Sequence, residues 1–177
     1  MNDATTRLQP NAVWTHFEEL NAVPRPSKKE GRVIEFMKQF GEGLNLETIV
    51  DEIGNVIIRK PATPGMEDRQ GVILQGHLDM VHQKNADTVF DFETEGIRSV
   101  ITEDGWLTAE GTTLGADNGM GVASIMAVLS ATDIEHGQVE ALFTIDEETG
   151  MTGAFKLQPG ILTGSILLNT DTEDEGE

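Results

Sequence analysis

Four places in the 177-residue chain carry side chains able to hold a metal ion or move a proton: His77 with Asp79, then Asp117, the pair Glu147-Glu148, and Asp171. Three of them follow short apolar runs within one to three residues. Val72-Ile73-Leu74 leads into Gly76-His77-Leu78-Asp79, Ala141-Leu142-Phe143-Thr144-Ile145 into Asp146-Glu147-Glu148, and Ile166-Leu167-Leu168 into Asn169-Thr170-Asp171. In an open α/β sheet, ligands sit beyond the carboxyl ends of the strands, so residues far apart in sequence can meet there. Two divalent ions held close together need a bridging carboxylate, nitrogen or oxygen ligands on each side, and a base for the bridging water. The His77-x-Asp79 spacing also suits an imidazole ligand backed by a carboxylate that fixes its tautomer.

Singly, each of these residues has an ordinary explanation. Asp117 suits a helix N-cap, paired acids suit the first turn of a helix, and a lone histidine after a strand is more often a hydrogen-bonded interior residue than a ligand. Recurrence after three separate apolar strands is what weakens those explanations, because independent accidents do not share a position.

The elements that must place these groups can be read from periodicity. Val13, Trp14, Phe17 and Leu20 form one stripe of an amphipathic helix after Pro10, ended by Val23-Pro24-Arg25-Pro26. Ser27 and Glu30 predict a capping box ahead of a second helix through Val33, Ile34, Met37 and Phe40, with Gly41 as its C-cap. Leu46 to Val50 and Val56 to Ile58 predict a hairpin around Gly54-Asn55, and Ile97 to Ile101 with Trp106 to Thr108 predict another around Asp104-Gly105. Gly119 to Leu129 suits a buried helix. The three apolar runs read as buried strands, so the expected fold class is α/β, a mixed, partly parallel sheet covered on both faces and flanked by helices.

Composition narrows the chemistry. The formal charge of -19, from 31 acids against 12 bases, argues against nucleic acid and anionic membrane as partners. With no cysteine, thiolate sites and cysteine nucleophiles are excluded, and any metal must be held by His, Asp and Glu. The N-terminus has no basic segment followed by an apolar run, and no stretch is apolar for long enough to span a bilayer, so a cytoplasmic location is expected.

Gly76-His77-Leu78-Asp79-Met80-Val81, Leu114-Gly115-Ala116-Asp117-Asn118-Gly119, Asp146-Glu147-Glu148-Thr149-Gly150 and Asn169-Thr170-Asp171, in that order, resemble the co-catalytic zinc peptidases that include aminoacylase, glutamate carboxypeptidase and carnosinase. The wording of the motifs is most similar to bacterial aminoacyl-histidine dipeptidases, and the likeness runs over essentially the whole chain. The resemblance implies two divalent metal ions, zinc by preference with manganese or cobalt as alternatives. His77 would bind one ion, Asp117 would bridge both, Glu148 would bind the other, and Asp171 would complete the shell of the first. Asp79 would orient His77, and Glu147 would be the general base that activates a metal-bridging water. A cis peptide at Asp117-Asn118 is also implied. The implied substrate is a small dipeptide of the aminoacyl-histidine, carnosine-like type.

The resemblance further implies a histidine ligand for the second metal far downstream, an inserted lid and dimerisation domain, and a homodimeric parent. None of these lies in the 177 residues. The chain therefore reads as the N-terminal segment, 1–177, of a truncated zinc-aminopeptidase-like catalytic domain with an incomplete site. His16, His82 and His136 read as ordinary histidines rather than replacements. An inactive fragment of such an enzyme is the first alternative. An acidic calcium module at Asp171-x-Glu173-x-Glu175-Gly176 is the second, disfavoured by the strand-like segment before it. A dinucleotide-type match at Gly119-Met120-Gly121-Val122-Ala123-Ser124 is weak, because no strand immediately precedes it.

Overall fold

The computed structural model describes residues 8–172. Its main sheet has the order β1-β2-β6-β3-β7, built from β1 (Glu47–Val50), β2 (Val56–Lys60), β3 (Val72–His77), β6 (Val139–Thr144) and β7 (Ile166–Asn169). β1 and β2 are antiparallel, β2 runs antiparallel to β6, and β3 lies parallel to both β6 and β7. The sheet is thus mixed, with a parallel trio at one side. A separate ribbon pairs β4 (Ser99–Ile101) with β5 (Leu107–Ala109).

Three helices, α1 (Asn11–Asn21), α2 (Gly31–Gly43) and α3 (Ala116–Ser130), pack on one face. They enclose a core of Leu20, Val33, Met37, Val56, Ile58, Leu78, Val122, Ile125, Met126, Leu129, Ala141 and Phe143. α3 is apolar on all sides and suits this interior position between α1 and the sheet. The opposite face carries a smaller cluster of Ile57, Ile73 and Leu142, covered by Leu157, Ile161 and Leu162 from the segment that follows the one-turn helices α4 (Glu147–Gly150) and α5 (Thr152–Phe155).

Several local expectations need correction. The capping box does not form: Glu30 itself occupies the N-cap of α2, and no side chain caps the helix. Ser27 Oγ instead donates to the Met80 carbonyl, and Glu30 Oε1 accepts the amides of Lys28 and Asp146. Tertiary partners thus outbid the local motif. Gly41 does not end α2 but sits buried inside it, where a Cβ would stand 2.9 Å from Ile58 Cδ1. The turn between β4 and β5 is longer than two residues, with Thr102 and Trp106 bonded beyond the strand ends. The nominal dinucleotide motif lies within α3, with no strand feeding it.

β7 departs most from expectation. Its apolar run does not fill a buried strand: Leu167 is 55% and Leu168 51% exposed, and among the described residues the strand pairs only with β3. An exposed apolar edge is a template for pairing. Light scattering on the 177-residue protein is expected to show mass rising above the monomer with concentration, and Leu167→Lys to lower it. A concentration-independent monomer would contradict this.

Glu173, Glu175 and Gly176 of the calcium-type motif lie outside the described residues. The segment before Asp171 is strand rather than helix.

Candidate metal centre

The parallel trio explains how the candidate residues meet. Gly76 stands opposite Phe143, His77 opposite Thr144, and Gln75 opposite Asn169, so β3, β6 and β7 end at the same edge of the sheet. His77, Asp79, the Glu147-Glu148 pair and Asp171 leave the sheet together there. Asp117 joins them from the start of α3. Gly76 has to be small at this edge, because a Cβ would meet the Asn118 side chain and would stand 3.3 Å from Thr170 Oγ1.

His77 is buried, and its two nitrogens face different groups. Nδ1 lies 3.3 Å from Asp79 Oδ1 and 3.1 Å from the Asp79 carbonyl. Nε2 lies 3.1 Å from Asp117 Oδ1, 3.8 Å from Asp171 Oδ2 and 3.9 Å from Glu147 Oε2. With Nδ1–H donated to Asp79, an ion that displaces the Nε2 proton would meet the nitrogen facing the carboxylates, which is the tautomer a ligand needs. One potential ligand atom from each of His77, Asp117 and Glu148 lies within 4.8 Å of the others, and the same holds for His77, Glu147 and Asp171. The donor set is nitrogen and oxygen only, which suits zinc, manganese or cobalt. The residues present therefore fit a divalent ion.

Asp79 also ties two strand ends together. Its Oδ1 accepts the Glu147 amide at 3.0 Å and its Oδ2 the Glu148 amide at 3.3 Å. Asp146, just before them, adopts a left-handed conformation with φ of 53°. Its carboxylate accepts the hydroxyls of Thr149 and Thr152, which hold the turn that presents Glu147 and Glu148. Asn118 donates to the Thr170 carbonyl at 2.9 Å and to Asp171 Oδ1 at 3.1 Å, linking α3 to the end of β7. The Asp117-Asn118 peptide is cis, as the resemblance implied. Asp117 and Asn118 have non-helical backbone angles, so the regular part of α3 begins after them, and the Asp117 carboxylate faces His77 Nε2 rather than capping a helix amide.

Sequence reasoning missed Arg25. Read as part of a helix-breaking run, its side chain is fully buried behind the site and donates to the carbonyls of Leu78, Asp79 and Gly115 and to Asn21 Oδ1. An arginine between prolines carries no local signal of burial. The other histidines are elsewhere: His16 contacts Glu19 and Ser130, His82 stacks edge-on with Phe92, and His136 lies against the Gly137 carbonyl.

Crowding of the acids shifts their titration. Burial, reinforced by the charges of Asp171, Asp79 and Asp117, raises Glu147 above the ordinary carboxylate range. Burial and the Asp117 charge raise Glu148, and burial with Asp117 raises Asp171. Burial opposes charge on His77, but the hydrogen bond and charge of Asp79, with Asp171 and Asp117, outweigh it and lift the imidazole to about 9. Asp79 is held below its ordinary value, because hydrogen bonds from His77 and the Glu147 amide outweigh its burial.

A group whose pKa is higher folded than unfolded stabilises the fold below its unfolded pKa, and that stability is lost as pH rises through the folded value. The unfolded value for histidine is 6.5. Metal-free protein is therefore expected to lose thermal stability between pH 6.5 and about 9, and His77→Gln to flatten that part of the profile. Matching profiles in the two proteins would show that the His77–Asp79 pair does not contribute.

Beside the acids opens a cleft of about 310 Å³ lined by Val81, Thr113, Leu114, Ala116, Asp117 and Glu148 among others. The sequence model of Peptidase family M20/M25/M40 matches residues 73–167, more than half of the chain. The chain belongs to this family. Among curated relatives of this M20/M25/M40 chain, the cytosol non-specific dipeptidase of Escherichia coli (strain K12) is 47% identical over 172 residues, covering 97% of this chain and 35% of the relative. Protein YqjE of Bacillus subtilis (strain 168) is 28% identical over 169 residues, covering 89% of this chain and 42% of the relative. The crystal structure of aminoacylhistidine dipeptidase from Vibrio alginolyticus superposes with a TM-score of 0.94 at 50% identity, over 97% of this chain and 35% of that one. A Staphylococcus aureus tripeptidase shares the fold, with a TM-score of 0.77 at 22% identity, over 92% of this chain and 43% of that one. The chain thus spans roughly a third to two fifths of the length of these relatives. Among the described residues, no helix is long and apolar enough to cross a membrane.

Proposed function

We propose that residues 1–177 form the N-terminal segment of the catalytic domain of a cytoplasmic metallo-dipeptidase, acting on small dipeptides that end in histidine. The observation that carries this reading is the convergence of His77, Asp117, Glu148, Glu147 and Asp171 at one edge of the parallel strands. The name of the Escherichia coli relative, a non-specific dipeptidase, supports the dipeptide part of it, and that of the Vibrio alginolyticus relative the aminoacyl-histidine part. The inserted lid and dimerisation domain, the remaining histidine ligand and the homodimer belong to the proposed whole protein, beyond these residues.

In this reading His77 and Asp171 would hold one ion and Glu148 the other, with Asp117 a ligand to both. When bound, a pair of zinc ions polarises the scissile carbonyl and lowers the pKa of water. The chain's own residues do the rest. Asp79 keeps the His77 proton on Nδ1, so that Nε2 stays available as a ligand. Glu147, raised by burial and its acidic neighbours, takes a proton from the attacking water and passes it to the leaving amine. Asn118 holds the Asp171 carboxylate by its Oδ1 atom.

The test is calorimetric zinc titration of metal-free protein, with hydrolysis of a histidine-containing dipeptide assayed on the same samples. Two zinc ions per chain with turnover are expected of the proposed whole protein, and one weakly held zinc without turnover of these 177 residues, which do not include the remaining histidine ligand. Asp117→Ala is expected to weaken zinc binding by at least about 10²-fold, the upper end of what losing a supporting outer-shell group costs. Zinc binding that survives Asp117→Ala would return Asp117 to a structural role and overturn the reading.

A further inference from the structure

Arg25 is the only described side chain with a buried polar atom, its Nε, that lacks a hydrogen-bond partner. Its other donors are all engaged. Nη1 reaches the carbonyls of Leu78 at 3.2 Å and Asp79 at 3.3 Å, while Nη2 reaches Asn21 Oδ1 at 3.2 Å and the Gly115 carbonyl at 2.6 Å. The first two carbonyls belong to the segment leaving β3 immediately after His77. The last belongs to the turn two residues before Asp117. Two glycines make room for the guanidinium there: a Cβ on Gly115 would stand 2.5 Å from Nη2, and one on Gly119 2.8 Å. The Arg25 carbonyl in turn accepts the Met80 amide at 3.2 Å, so backbone and side chain grip the same strand end.

No described carboxylate lies within ion-pair distance of the guanidinium. Arg25 therefore offsets the clustered negative charge of Asp79, Asp117 and Glu148 from behind, without occupying an oxygen that a metal would use. A rigid fork with donors on both terminal nitrogens can span two loops at once, whereas the single ammonium of lysine cannot.

We propose that Arg25 is a positioning residue that clamps the His77 and Asp117 loops at a fixed separation and so sets the affinity and geometry of the metal centre. This inference rests on the metal-centre reading above. The two segments are also joined farther from the site, where Thr113 Oγ1 donates to the Val81 carbonyl and the Thr113 amide to the Gln83 carbonyl. Arg25 ties the carbonyls nearest His77 and Asp117 to one rigid group, and without it that part of the site is held less closely.

The test is cobalt(II) titration of the 177-residue protein followed by visible absorption, on the parent, Asp117→Ala, Arg25→Lys and Arg25→Met, with cooperative thermal unfolding as the check of folding. Arg25→Lys keeps the charge and loses the fork. It is expected to bind cobalt at least about 10-fold more weakly than the parent, on the scale of losing an outer-shell partner, and with a shifted ligand-field band. Arg25→Met is expected to bind more weakly still. If neither arginine variant folds, Gly115→Ala, which keeps the guanidinium but crowds Nη2, is measured in the same way and is expected to show the same weakening and shift. Parent-like affinity and absorption in the folded variants would overturn the clamp alone. Failure of the parent to bind cobalt, or binding that survives Asp117→Ala, would overturn the metal-centre reading and the clamp with it.

Discussion

In zinc-loaded protein that hydrolyses a histidine-containing dipeptide, Glu147→Gln is expected to lower turnover by about 10²- to 10⁴-fold while leaving zinc content unchanged. The amide keeps the shape of the side chain and loses the ability to accept a proton. Glu147 is suited to that task by position and environment. Its carboxylate lies 3.9 Å from His77 Nε2, its amide is bonded to Asp79, and burial among Asp171, Asp79 and Asp117 raises its affinity for a proton. Paired rate and metal measurements separate proton transfer from ligation. Loss of zinc together with turnover would make Glu147 a ligand, and unchanged turnover would remove it from the chemistry.

Phe143→Ala is expected to destabilise the protein by about 3–5 kcal/mol, the range for truncating a buried phenylalanine in a core that cannot collapse around the cavity. Phe143 is fully buried on β6, in the middle of the sheet, and packs within the helix-facing core. It stands across from Val56 on one side and from Gly76 on the other. Gly76 cannot fill the gap, since any side chain there would run into Asn118. Such a loss is a large share of the roughly 5–15 kcal/mol by which domains of this kind are stable. Urea unfolding of metal-free protein would show it as a lower midpoint, and a loss below about 1 kcal/mol would mean that the core closes around the cavity.

The two predictions concern adjacent parts of one arrangement. Phe143 fixes β6 beside β3, and that register brings the ends of the two strands level, so Glu147 and Glu148 emerge next to His77 and Asp79. A partly collapsed core would shift the carboxylates that the metal reading requires. Zinc titration of Phe143→Ala should therefore show weaker binding although the substitution touches no ligand.

Much of this architecture was legible along the chain. Periods of 3.6 and 2, turn residues and compact apolar runs place every major helix and strand, because each depends on which side chains face the interior over a few consecutive residues. Five of the six candidate residues stand out in the sequence as groups recurring after apolar runs, and the structure brings them together with Asp117 from the start of α3. In two places a distant partner claims a local signal: Ser27 reads as a helix cap and bonds Met80, and Gly41 reads as a helix end and packs on Ile58. Ile166-Leu167-Leu168 reads as buried but lies exposed at the edge, because among the described residues its strand pairs only with β3.

By itself, then, the sequence determined the elements, their order, the nitrogen and oxygen character of the donors, and the family resemblance, all of which reside in residue type and short-range spacing. Only the tertiary structure decided that β3, β6 and β7 end together, that His77 turns Nδ1 toward Asp79 and Nε2 toward Asp117, and that a buried Arg25 lies behind them. Those facts depend on strand order, register and packing between residues up to about a hundred positions apart, separations at which local propensity carries no information.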